Sequence, residues 1–127
     1  MHPASSDSPT PDAILQLAVD ALDELKAVDI KVLDVRELTT VTDYMVVASG
    51  TSGRQVRALS ENLQKRSKEG GVTLLGIEGE RDAEWVLVDL CDVVVHVMNP
   101  TSRETYQIEK LWTQPPGGSV EDAATAP

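Results

Sequence analysis

Phenylalanine is absent from this chain, cysteine occurs once and histidine twice, and eleven basic residues face twenty-one acidic ones. Each shortage excludes something. One cysteine cannot close an internal disulfide, and one cysteine with two histidines is a poor ligand set for a metal, so no metal or other cofactor is expected. No stretch approaches the roughly 18 apolar residues that a membrane helix requires. The opening "MHPASSDSPTPDA" has neither a basic n-region nor an apolar h-region. A secretory signal is therefore not expected, and the cytoplasm is the expected compartment. The net charge of −10 argues against a broad nucleic-acid surface, which rests on Lys and Arg neutralising phosphates, and suits a basic partner.

The 127 residues are enough for one domain with a modest core. Residues 1–10 and 114–127, rich in Pro, Ser, Gly and Ala, read as disordered tails around a domain at 11–113. Thr10-Pro11-Asp12 reads as an N-cap, a first-turn proline and an early acid, opening an amphipathic helix over 11–27. Alternation predicts strands at 30–36 and 43–49. Ser52 and Gln55 predict a capping box, Val56, Leu59 and Leu63 an apolar stripe, and Gly70-Gly71 the end of a second helix over 52–69. "VTLLGIEG" predicts a third strand, and two more fall at 85–90 and 93–98. Thr101 and Glu104 predict a capping box for a short helix ending near Leu111 and Trp112. The order is α-β-β-α-β-β-β-α, an α/β fold with a mixed sheet of about five strands. The second helix is expected to cross over and set strands two and three parallel, and a hairpin at 89–92 to pair the last two antiparallel.

The segment "EWVLVDLCDVVVHVMNP", residues 84–100, carries most of the functional information. Side-chain alternation puts Val86, Val88 and Leu90 on one face and Trp85, Leu87 and Asp89 on the other. Val93, Val95 and Val97 likewise oppose Val94, His96 and Met98. Both faces are apolar, yet two long helices cover only one. The second must be completed by the short helix, a second copy of the chain, or a partner. Asp89 and Asp92 flank a tight turn and have the wrong parity for a shared ion, so they read as caps on backbone N–H groups. His96 reads as a satisfied strand histidine and Cys91 as incidental, with no activating histidine nearby. Trp85 has two readings. It is a core anchor, or an interface hot spot rimmed by acids such as Glu80, Asp82 and Glu84.

In order and spacing, "LDVR" (33–36), "TDY" (42–44), "ASGTSGRQV" (48–56), "EG" (78–79), W-V-L-V-D (85–89), "DVVVHV" (92–97) and R-x-x-Y-x-I-E-x-L-W (103–112) closely resemble the ribosomal silencing factor family, also called Iojap-like or DUF143. The resemblance spans about residues 12–113. It implies a nucleotidyltransferase-like α/β fold, a homodimer, and binding to the large ribosomal subunit at its fourteenth protein, a basic protein on the intersubunit face. Binding there obstructs joining with the small subunit and represses translation under nutrient limitation; relatives in organelles act in ribosome assembly. By position, the implied partner surface is Trp85 with the edge formed by Val86, Asp89 and Leu90, then Glu80 and Glu84, and more remotely Tyr44 and Tyr106. The chain departs from the family at the turn, where Cys91 replaces a usual glycine, and at Met45 and Met98, which replace aromatics.

Two other classes remain. A nucleotidyltransferase-like enzyme would use the turn-like "SGTSGR" to hold phosphate, but it also needs a D-x-D magnesium site on a strand, which this sequence lacks. Arg54, Arg57, Lys65, Arg66 and Lys68 on the second helix offer a marginal ribosomal RNA contact, or simply its solvated face.

Overall fold

The computed structural model describes residues 9–113. The expected tails lie outside these, apart from Pro9 and Thr10. In chain order the elements are α1 (Pro11–Glu24), β1 (Val28–Asp34), β2 (Tyr44–Ser49), α2 (Gly53–Glu69), β3 (Gly76–Glu78), β4 (Trp85–Asp89), β5 (Val93–Met98), α3 (Pro100–Tyr106) and α4 (Ile108–Thr113).

The helix starts follow the local chemistry. Thr10 Oγ1 accepts the Ala13 N–H at 3.2 Å, and Ser52 Oγ accepts that of Gln55 at 3.1 Å. The return contact of the predicted box is shifted by one residue. Gln55 Oε1 takes the N–H of Thr51, not of Ser52, at 2.6 Å. Helix α1 stops at Glu24, three residues early, because Lys26 turns to a φ of 62° and the chain reverses into β1. The predicted start of the last helix is corrected. Asn99 is the N-cap, accepting the Ser102 N–H at 2.7 Å, and Pro100 fills the first helical position. Gln107 then adopts left-handed backbone, φ 45° and ψ 46°, and splits the segment into α3 and α4.

The sheet order is β1-β2-β5-β4-β3, with only the β2–β5 pair parallel. The expectation for strands two and three holds in direction but not in adjacency, since β5 and β4 lie between them. Residues 72–75, expected to begin the third strand, lie outside it, and β3 keeps three residues at the far edge. β5, apolar on both sides, takes the centre, where a strand is covered on both faces. β4 is consequently an inner strand, and the functional edge expected at Trp85 is a face instead.

On one face α1 and α2 bury Val46, Val86, Val88, Leu90, Val93, Val95 and Val97 beneath Leu22, Leu59 and Leu63. On the other, a smaller cluster joins Leu33, Val35, Met45, Val47, Met98 and Ile108, with Leu38, Trp85 and Trp112 packed against it. The short C-terminal helices thus complete part of the second face, one of the three coverings anticipated. Cys91 holds a φ of 74°, the left-handed geometry for which glycine is usual. Asp89 Oδ1 accepts the Cys91 N–H at 2.8 Å, so this aspartate caps the turn as expected. At Asp92 it is the main-chain carbonyl that works, taking the N–H of both Asp43 and Tyr44 at 3.0 Å.

Candidate partner-binding face

Register decides which side chains meet on the second face. Trp85 pairs with Met98, Leu87 with His96 and Asp89 with Val94, and paired residues share a face. Helices α3 and α4 cover the Met98 end. Leu87, Asp89 and Val94 are left half-buried, and Glu78, paired with Leu87, is exposed beside them. A shallow depression of about 250 Å³ is lined by Glu78, Gly79, Trp85 and Leu87.

Trp85 is the centre of this face. Its indole N–H donates to His96 Nδ1 at 2.9 Å. The Tyr106 ring packs on it with centroids 4.9 Å apart and planes tilted by 40°, and Tyr106 itself is 55% exposed. His96 is only 7% exposed, and its Nε2 has no hydrogen-bond partner among the described residues. The expectation of a satisfied histidine is therefore half right. Burial pushes the imidazole pKa from 6.5 down to about 4.

That shift fixes the sign of a pH effect. Between pH 6.5 and about 4 the unfolded chain binds a proton at His96 that the folded chain does not. Its contribution to stability is thus complete above pH 6.5 and lost as pH falls towards 4, by about 3 kcal/mol in all. Urea midpoints are expected to fall across this window for the wild type and to fall less for His96→Asn. Parallel curves for the two proteins would refute the assignment.

The sequence-predicted residues separate. Trp85, Asp89 and Tyr106 belong to this face, and Glu84 is exposed next to Trp85 in the chain. Val86 and Leu90 do not belong: at 0% and 1% exposure their side chains are in the core beneath α1 and α2, because their parity is opposite to that of Trp85. Tyr44 is in that same core. Its hydroxyl donates to Asp12 Oδ1 at 2.8 Å, and this bond raises the phenol pKa. Glu80 is turned towards α2, where its Oε2 accepts from Ser60 Oγ at 3.2 Å and Gln64 Nε2 at 2.9 Å. It clasps the 79–83 turn to the helix and leaves Glu78 and Asp89 as the acids that register places on this face.

Two of the basic residues considered for RNA are committed elsewhere. Arg57 donates to the carbonyls of Glu80 and Arg81, and Arg66 pairs with Glu24 and Glu69. Among the described residues no group of three or more His, Cys, Asp or Glu side chains is placed to hold a metal ion, and no helix is long and apolar enough to cross a membrane.

Sequence reasoning gave no role to Arg103. It is buried, and its guanidinium reaches Ser49 Oγ at 3.0 Å, Glu109 Oε2 at 3.2 Å and Asp29 Oδ2 at 3.5 Å. The arginine fastens α3 and α4 to the ends of β1 and β2, and so holds Tyr106 over Trp85. A cleft of about 480 Å³ opens beside it.

Comparison with known proteins agrees with this architecture. A family model described as "Ribosomal silencing factor during starvation" matches residues 8–126. A ribosomal silencing factor of Chromobacterium violaceum is 50% identical over 99 residues, covering 78% of this chain and 81% of the relative. A crystal structure of a Chromobacterium violaceum protein superposes with a TM-score of 0.82 at 47% identity, covering 86% of this chain and 92% of that one. A mouse protein named "Mitochondrial assembly of ribosomal large subunit protein 1" is 38% identical over an alignment of 102 residues, covering 78% of this chain and 45% of the mouse protein.

Proposed function

The chain belongs to the ribosomal silencing factor family, and from that premise we propose that it represses translation without catalysis, by occupying the joining face of the large ribosomal subunit. The partner is the subunit's fourteenth protein, and the contact is the face around Trp85. One observation carries the reading: Trp85, Leu87 and Val94 form a half-covered apolar strip, register places Glu78 and Asp89 on the same face, and Glu84 is exposed next to Trp85 in the chain. A large aromatic in an acidic surround suits a basic protein with an apolar recess, where charge steers the encounter and the ring supplies affinity. A body seated there excludes the small subunit by volume alone. The apolar strip also suits a second copy of the chain, so the homodimer and the ribosome complex compete for it. The name of the mouse relative supports a large-subunit partner, and a part in assembly of that subunit is the second reading for this chain.

Cosedimentation with separated ribosomal subunits tests this. The wild type is expected to pellet with the large subunit only. Trp85→Glu is expected to weaken binding at least roughly 30-fold, the loss of a hot spot worth ~2 kcal/mol. Circular dichroism must accompany it, because Trp85 also packs on His96 and Tyr106. A folded wild type that pellets with neither subunit would overturn the proposal.

A further inference from the structure

We propose that His96 is a positioning residue for Trp85, its buried Nδ1 fixing the indole so that the ring offers a partner its π face and apolar edge while its N–H is already engaged. The inference rests on the reading that Trp85 faces the partner, and deepens it by stating the partner's chemistry. A group that meets this ring is apolar or cationic; a hydrogen-bond acceptor aimed at the indole nitrogen finds it occupied.

Register brings the two residues together. Leu87 pairs with His96 and Trp85 with Met98, so Trp85 and His96 are diagonal neighbours across β4 and β5, within reach for side chains of this length. The donor is unambiguous, since an indole nitrogen only donates. Nδ1 therefore carries the lone pair and the neutral ring's hydrogen is on Nε2.

The bland alternative is that His96 merely fills space between Val47 and Leu87, its register partners on β2 and β5's other neighbour β4. Space-filling is a poor account of a histidine here. A residue 93% buried with an unpartnered Nε2–H is worse filler than leucine or methionine, because a desolvated donor without an acceptor is destabilising. What the imidazole provides and an aliphatic chain does not is the Nδ1 acceptor. With Tyr106 packed on the indole at 4.9 Å as well, the ring has two independent restraints on one orientation. Restraining it before binding removes the entropy loss of ordering a half-exposed side chain in the complex.

The test uses the full chain with His96→Leu and His96→Asn. Leucine deletes the acceptor, whereas the asparagine Oδ1 stands close to where Nδ1 was. Two readouts are needed: hydrogen exchange of the Trp85 indole N–H by NMR, with the Trp112 indole as internal reference, and affinity for purified large subunits. The wild-type Trp85 indole is expected to exchange slowly. His96→Leu is expected to speed that exchange and weaken binding about 3- to 10-fold, and His96→Asn to recover most of both. A fast-exchanging wild-type indole would overturn the proposal without any variant. So would a folded His96→Leu that binds like the wild type, or two variants equally impaired. A wild type that binds no large subunit sinks the partner reading itself, and this proposal with it.

Discussion

Arg103→Met is expected to cost the fold about 3–5 kcal/mol in urea unfolding at neutral pH, the range for removing one member of a buried ion pair. The guanidinium serves several acceptors at once. Its Nη1 donates to Ser49 Oγ and to the Val28 carbonyl, and its Nε and Nη2 to Glu109 Oε2. Asp29 matters less, being well exposed and 3.5 Å away. Glu109 is the residue that suffers: its side chain is 18% exposed, and its Oε1 already lacks a partner among the described residues. Stranding that carboxylate is the main part of the expected loss, so the double variant Arg103→Met with Glu109→Gln should regain a large share of it. Arg103→Lys should fall between, since an ammonium is a point charge and cannot span the same acceptors. A change below 1 kcal/mol for Arg103→Met would mean that the pair contributes nothing net. A functional loss should accompany the instability, because loosened α3 and α4 no longer hold Tyr106 against Trp85.

Much of this arrangement is legible in the chain, and what is not has identifiable causes. Alternation along residues 85–90 and 93–98 assigns the side chains to their observed faces, and the lack of a third long helix signals the incompletely covered one. The same alternation also separates Val86 and Leu90 from Trp85. Matching by position along a motif grouped them because it follows the chain, not the pleat. The position of β3 is not legible locally, since a three-residue strand carries almost no pattern and its place depends on which neighbour leaves an open edge. Asn99-Pro100 was a readable helix start, with an Asn cap and a proline at the first position, and it outweighs Thr101 because the proline fixes φ. The left-handed Gln107 has no such signal. Nor does the Arg103 cluster, whose members come from residues 28, 29, 49 and 109 and meet only in the folded chain. The Trp85–His96 bond was within reach: two polar-tipped rings on the same face of adjacent strands are the expected partners once the hairpin register is set.

Gly79→Ala is the variant expected to join stability and binding most directly. Gly79 holds a φ of +89°, and a Cβ added there would lie 2.1 Å from the Trp85 carbonyl oxygen and 3.1 Å from its carbonyl carbon. Neither contact is with a flexible side-chain end, so the backbone of β4 or of the 79–83 turn must move. The positive φ adds about 1–2 kcal/mol for an L-residue, and forced separation of packed backbone about 1–3 kcal/mol more, so a loss of roughly 3 kcal/mol is expected. Gly76→Ala is the matched control, because a Cβ at Gly76 meets nothing within 4 Å, and its effect should be small. The crowded carbonyl belongs to Trp85. Under conditions where Gly79→Ala is still folded, its affinity for the large subunit should therefore fall as well, while Gly76→Ala binds normally. Equal stability of the two variants would show that the turn relaxes freely around the added methyl. A stability loss without a binding loss would mean that Trp85 keeps its orientation through His96 and Tyr106 even when its own backbone shifts.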